Sequence, residues 1–460
     1  INYTNVMSAG SIVFDASVAS RTFTVGGLNA GSQQNSAITI PLVDNLGNAI
    51  TLQVGNGGQT SAFGGQVTAV LSGIGGLTKI GSGVFNINAT AQTYSGATTI
   101  IAGAPGVTGG AANKISTLAL NFSHTYTPSG STTTTARTLT TNLINPVSTL
   151  IMGGVSAPRV GTQLSDVQLA NVGNGSGRLL LAAGGVNTQA FASTTIGTGA
   201  SEIVLTSNGT NALLLTLGAI TRSAGGTLFI ANPQGVVAGL SANNGVVTTS
   251  GATGALLTDA NGTAYSVLGA AGNNVTDFAA KNAGGWLMAP AYTASAAATA
   301  NYTQTLTGGA TVAASATVTV ASTTGLVVGA GISGTGIPAG ATIVSITNAT
   351  SLVISAPATA AGTLQTFTVA QNVNFGQTNT AAWTTQTINS LRNNATTAAN
   401  LLIGAGQTIT VRSGAILFGS SFAAASLSTT AGQGTIVPGA GRELVIFVGG
   451  NGGSLTINAV

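Results

Sequence analysis

Between Lys281 and Arg392 the chain carries no Lys, Arg, Asp or Glu, and charged residues make up only 4% of its 460 positions. An ordinary soluble domain carries roughly 25%. Catalysis, metal binding and phosphate binding run mostly on ionisable side chains, so the first inference is negative. The sequence reads as a building material and not as a catalyst, with no catalytic, cofactor-binding or metal-binding residues assigned.

Composition decides between a folded and a disordered chain. Disorder goes with low hydrophobicity and high net charge. Here the mean hydropathy is +0.46, the net charge +4, and short runs of Val, Ile, Leu and Phe recur throughout. The chain is therefore folded. The pI near 9.7 reflects scarce acids. The eleven basic residues are scattered singly, the nearest two being Arg159 and Arg178. A phosphate-binding surface needs clustered Lys and Arg, so no nucleic-acid partner is expected. There is no cysteine, which excludes disulfides and thiolate metal sites. Gly, Ser, Thr or Asn interrupts every apolar run before the length a membrane helix needs, so no membrane insertion of this segment is expected. A start at Ile1, without Met or leader, suggests a processed piece of a precursor.

Strand signals dominate. Short β-branched or apolar segments fall at Ser11–Phe14, Ile38–Val43, Ile50–Val54, Val84–Ile87, Thr98–Ala102, Ile203–Thr206 and Leu213–Leu217. Others follow at Thr227–Ile230, Thr317–Val320, Ile343–Ile346, Leu352–Ser355, Thr408–Val411 and Leu444–Phe447. Only Thr397–Leu402 and Asp277–Asn282 hint at helix, and both are short. Many separators are glycine corners, such as Gly73-Ile-Gly-Gly76 and Gly449-Gly-Asn-Gly-Gly453. Strand, corner, strand, corner is what a coiled β-solenoid needs, because one coil cannot bury its apolar face alone. Small residues suit a narrow interior, and Asn and Thr can form ladders between coils. Stacked like charges repel, which accounts for their scarcity.

The residues Gly75-Gly-Leu-Thr-Lys-Ile-Gly-Ser-Gly-Val-Phe-Asn-Ile-Asn88 and Thr93-Tyr-Ser-Gly-Ala-Thr-Thr-Ile-Ile-Ala-Gly103 resemble an autotransporter-associated β-strand repeat. Weaker segments at Leu217–Gly226, Ile388–Asn393, Gly441–Val448 and Leu455–Asn458 are similar to large surface passengers of planctomycete and verrucomicrobial type. Together they span about half the chain, discontinuously. The resemblance implies a right-handed parallel β-helix on the cell exterior and no particular activity. The family's membrane barrel has no counterpart in these residues, again as expected of a piece of a larger precursor.

The region Thr305–Val369 differs. Strand signals recur every 8–12 residues around the turn Gly334-Thr-Gly-Ile-Pro-Ala-Gly340, which predicts a small inserted antiparallel β-sandwich. The expected organisation is an all-β, right-handed parallel β-helix over 1–304, the sandwich-like insertion over 305–370, and a second solenoid part over 371–460.

No chemical constellation emerges. The single His124 lies on a strand-like alternation with no nucleophile elbow. Asp15, Asp44, Asp166, Glu202, Asp259, Asp277 and Glu443 are dispersed, where glycan cleavage needs paired carboxylates. Asp44 reads as a hairpin turn. Gly329-Ala-Gly-Ile-Ser-Gly334 fits a dinucleotide-loop spacing but lacks the following helix. Gly449–Ser454 lacks the Asp of a calcium repeat. Trp286 and Trp383 could stack sugars, though such residues more often plug a hydrophobic end. No cofactor is expected.

The sequence thus suggests a non-enzymatic structural subunit of an extracellular bacterial surface fibre, sheath or layer, a head-to-tail homopolymer joined through solenoid ends. The alternative is a monomeric autotransporter-type adhesin passenger that binds a surface glycan or a host or neighbouring cell, with the Thr305–Val369 module as its ligand-binding head.

Overall fold

The computed structural model describes residues 22–29, 37–55, 61–64, 68–81, 83–102, 116–128, 130–154, 177–207, 212–233, 244–271, 274–296, 298–299, 301–397, 399–419, 424–427, 434–449 and 454–457. The expected strand Ser11–Phe14, the acids Asp15 and Asp166, and most of the corner Gly449–Ser454 lie outside them. Every regular element among the described residues is a β-strand. The two helical hints are strand too. Asn274–Phe278 pairs antiparallel with Ser266–Ala270, and Ala399–Leu401 pairs parallel with 425–427. Tertiary pairing overrode a helical pattern too short to nucleate a helix.

Two compact units, Ile1–Thr249 and Ser250–Val460, divide the chain. In the first, all sheets but one hairpin are parallel. One sheet stacks Thr22–Val25, Thr51–Val54, Gly76–Lys79, Thr98–Ala102, Leu150–Gly154, Ser193–Ile196 and Ala219–Arg222. A second stacks Ser61–Phe63, Gly83–Asn88, Ser116–Asn121, Gly177–Ala182, Gly199–Thr206 and Gly226–Ala231. Short third stacks pair Ile38–Pro41 with Ala69–Ser72, and Asn187–Ala190 with Leu213–Thr216 and Asn244–Val247. Where a third-stack strand is present the chain runs third, first, second before the next circuit. Between Gly83–Asn88 and Thr98–Ala102, and between Ser116–Asn121 and Leu150–Gly154, it returns to the first sheet without one among the described residues. This recurrence is compatible with a β-solenoid.

Register puts like on like. Phe85, Leu118, Leu179, Ile203 and Ile230 are successive partners in the second sheet, all fully buried. Ile87, Leu120, Leu181 and Leu205 form the neighbouring column. Burying each such side chain stabilises by about 1.5–3 kcal/mol. Outside the columns the ladders are polar: Asn121 Nδ2 donates to Asn88 Oδ1 at 2.8 Å, and Thr195 and Thr221 hydroxyls meet at 3.1 Å. The repeat-like segment Gly75–Gly103 covers one circuit. Its strands Gly76–Lys79 and Thr98–Ala102 pair with each other, and Gly83–Asn88 lies between them in sequence on the second sheet. A Cβ on Gly75 would fall within 2.8 Å of Ile50 N, so this corner can stack only without a side chain.

Lys79 breaks the apolar rule. Its column reads Val54, Lys79, Ile100, Met152, Ile196, and every member is fully buried. The lysine bends back to the corner, where Nζ donates to the carbonyls of Ile80 at 2.7 Å and Gly81 at 3.2 Å.

The second unit repeats the parallel arrangement. Thr293–Ala294, Asn372–Asn374, Ser390–Asn393, Ala415–Phe418 and Val445–Val448 form one sheet. Gln386–Ile388, Gln407–Val411 and Gly434–Pro438 form another, and Ala399–Leu401, Ala424–Leu427 and Ser454–Ile457 a third. Trp383 is fully buried in their core with its ring 5.0 Å from that of Tyr302, so it plugs the interior. Trp286 is partly buried in the turn after Asn282.

Residues 303–370 form the antiparallel insertion, with a hydrophobic core of their own that includes Leu306, Val318, Ile343, Leu352 and Phe367. A two-sheet sandwich was expected here. The strands instead form one six-stranded sheet, ordered Gly331–Ser333, Gly362–Ala370, Thr303–Thr311, Thr317–Thr319, Ser351–Ile354, Ile343–Asn348. Its edge strands meet: Ile332 N–H donates to Ala341 O at 3.0 Å, and Ile343 N–H to Ala330 O at 2.9 Å. Register shifts between Leu306 and Thr311 bend the two longest strands, which lets a single sheet curl around one core.

Burial holds the Lys79 ammonium down to about 8, against an ordinary value near 10.5. The unfolded chain therefore keeps a proton between about pH 8 and 10.5 that the folded chain has lost, so stability rises with pH through that window. Denaturant midpoints measured from pH 7.5 to 9.5 should climb, and Lys79→Met should flatten the climb. The range stops below the ordinary tyrosine value because burial raises the Tyr94 hydroxyl and works in the opposite direction above it.

Candidate functional site

In the second unit, successive circuits turn the same corner between two parallel sheets. Arg412 and Ser413 follow strand Gln407–Val411 and stack on the corner below, with Arg412 N–H donating to Ile388 O at 2.7 Å and Ser413 N–H to Asn389 O at 2.9 Å. The next corner lies above: Gly439 N–H donates to Val411 O at 2.9 Å and Val445 N–H to Gly414 O at 2.7 Å. Arg442 belongs to this upper corner. The two arginines are separated by the same sequence interval as the paired Ile416 and Ile446, so one circuit of chain lies between them.

A loop from the start of the unit closes one side. Asp259 Oδ1 accepts the N–H groups of Asn261 at 3.0 Å and Thr263 at 2.9 Å, holding a tight turn. Ala264 N–H donates to Ser413 O at 2.9 Å, which fixes the turn against the corner. The insertion supplies the remaining wall through Gly340, Thr342 and Ser355. Together these segments surround a cavity of about 390 Å³.

Both arginines line it and bond backbone carbonyls. Arg412 Nη2 donates to Ala341 O at 3.0 Å. Arg442 Nε donates to Asn261 O at 3.0 Å, and its Nη1 to Arg412 O. No ion pair joins either arginine to a carboxylate among the described residues. Burial first, and the Arg442 charge second, bring the Arg412 guanidinium down to about 10. Burial also lowers Arg442, partly offset by Asp259. Two glycines make room. A Cβ on Gly262 would stand 2.7–2.9 Å from the Arg442 guanidinium, and one on Gly331 would overlap that of Arg412. The Thr342 hydroxyl, buried at the cavity wall, has no hydrogen-bond partner among the described residues. Asn389 spends its amide on Gly329 O and Asn372 Oδ1.

Other polar groups singled out in the sequence lie elsewhere. Glu202 is bonded to Arg178 at 2.6 Å, its in-register neighbour. Asp277 is paired with Arg392, whose guanidinium lies 3.9 Å from the Tyr292 ring centroid and also donates to Asn374 Oδ1 at 3.1 Å. Asp44 closes a tight turn, accepting from Leu46 N–H at 2.9 Å and Asn48 N–H at 2.8 Å between the bridged Val43 and Ala49. His124 sits on a hairpin opposite Arg137 and stacks with Tyr126 at 6.5 Å. Burial and the Arg137 charge lower its pKa. Gly329–Gly334 leads into strand Gly331–Ser333 of the insertion. Among the described residues no group of three or more His, Cys, Asp or Glu could hold a metal, and no helix is long and apolar enough to cross a membrane.

No family model, curated protein or solved structure matches the chain.

The arginine pair was invisible to a search for clustered basic residues, because the cluster is made by stacking. The signal was available as periodicity: two arginines one circuit apart at the same corner. Gly331→Ala should displace the Arg412 guanidinium and break its bond to Ala341 O, costing about 1 kcal/mol, the net value of a hydrogen bond. Chemical denaturation measures this; an unchanged midpoint would mean that Arg412 does not need the space.

Proposed function

We propose that this chain is a non-enzymatic structural subunit of an extracellular bacterial surface fibre, sheath or layer. In this reading it is a right-handed parallel β-helix carrying a small antiparallel module, and subunits join through the ends of their parallel sheets. Right-handed crossover is the strong preference for parallel strands linked within one sheet. The repeat-like Gly75–Gly103 circuit supports a surface-passenger origin.

One observation carries the association. Strand Ala415–Phe418 is buried throughout, whereas the next strand in its sheet, Val445–Val448, is only half-buried along its length. It is the last strand of that sheet among the described residues, and Leu444, which precedes it, is 41% exposed; Ile457, on the last described strand of the third sheet, is 46% exposed. A parallel edge strand that keeps its apolar side chains half-exposed is a template for another strand. Contact between unlike ends is heterologous and propagates as a filament when it does not close. Few charges oppose such stacking.

Electron microscopy of the purified 460-residue chain tests the reading. Filaments that lengthen with concentration are expected, and Leu444→Lys should disperse them by placing a charge next to the edge strand without entering the core. Isolated particles at every concentration would remove the polymer and leave a monomeric adhesin passenger as the better account.

A further inference from the structure

The cavity between the stacked corners and the insertion points to a ligand that fibre assembly does not need. We propose that it binds an acidic sugar, whose carboxylate sits between Arg412 and Arg442 while its hydroxyls meet Thr342, Ser355, Asn389 and Ser413.

Charge sets the kind of anion. The lining holds two arginines and one carboxylate, that of Asp259, a sum of one positive charge. The two guanidiniums repel each other and donate to carbonyls, and the Asp259 carboxylate offsets only part of their charge. A guanidinium has five N–H donors in a fork that matches a carboxylate. A single negative charge balances the site, whereas a dianionic phosphate would meet Asp259 as well. Electrostatics alone does not hold the arginines so close. The space left by Gly262 and Gly331 and the backbone bonds do, so the donors are positioned before a ligand arrives.

The rest of the wall sets the body of the ligand. Apart from Leu256 and small alanines it offers hydroxyls, amides and backbone, which suit a hydroxylated ring better than an aliphatic one. Thr342 Oγ1 is buried without a partner among the described residues, and a buried hydroxyl left unbonded costs about 1–3 kcal/mol. A sugar hydroxyl would remove that cost. The volume of about 390 Å³ falls at the small end of ligand pockets, the size for one ring. The insertion contributes part of this wall, which gives it a role beyond its own core.

Calorimetric titration of the full chain with sodium glucuronate, glucose and inorganic phosphate is the test. Glucuronate should bind, more weakly as salt rises, and glucose should bind at least about tenfold more weakly, since it lacks the charge the arginines hold. Arg412→Gln and Arg442→Gln should each weaken glucuronate about 30-fold or more, as loss of one partner of a buried charged contact does. Glucose binding as tight as glucuronate, or glucuronate binding unchanged in both variants, overturns the proposal, as does its absence from the unmodified chain. Phosphate binding tighter than glucuronate overturns the acidic-sugar assignment in favour of a phosphate site. Should either variant fail to fold, hydrogen exchange on the unmodified chain decides. Protection by glucuronate at 259–263, 412–413 and 441–443 supports the site, and protection elsewhere overturns it. These outcomes are separate from filament formation, which microscopy reads.

Discussion

The parallel backbone ladder between successive circuits is the interaction on which everything else rests. Once one circuit pairs in register with the next, each side chain lies directly against its counterpart about 4.8 Å away. Identical chemistry is then repeated along a column. Leucine on leucine, as at Leu120, Leu181 and Leu205, excludes water cumulatively. Asparagine on asparagine, as at Asn88 and Asn121, closes a hydrogen bond. Charge on like charge would repel, so a sequence built this way sheds charges. Two charged pairs among the described residues are placed with partners: Arg178 meets Glu202 in the next strand, and Arg392 meets Asp277 on a hairpin strand.

The exceptions are then informative. Lys79 occupies an aliphatic column and pays in a lowered pKa while capping two corner carbonyls. Arg412 and Arg442 stack at successive corners without a carboxylate bonded to either. The first reads as a structural adjustment inside one circuit. The second lines a cavity, which is why it carries a binding proposal and Lys79 does not.

The inserted module follows different physics in the same chain. Its strands pair antiparallel, its core is separate, and its sheet curls where Gly308 and Gly309 interrupt the register. Its short hairpin-like spacing was legible, since close strand signals around the Gly334–Gly340 turn can only fold back on each other. Whether such strands make two sheets or one was not, because that choice depends on where bulges bend the longest strands.

Strand class, a minority of the strands and the antiparallel character of the insertion were legible in the sequence alone. They rest on local propensity, glycine corners and composition, which a chain carries wherever it goes. The tertiary structure alone decided which residues share a corner. Register between circuits depends on loops of unequal length, such as the long excursions between Thr98–Ala102, Leu150–Gly154 and Ser193–Ile196, so spacing by itself does not fix it. That register turned scattered, single arginines into a pair, and it did so because stacking makes neighbours of residues a full circuit apart.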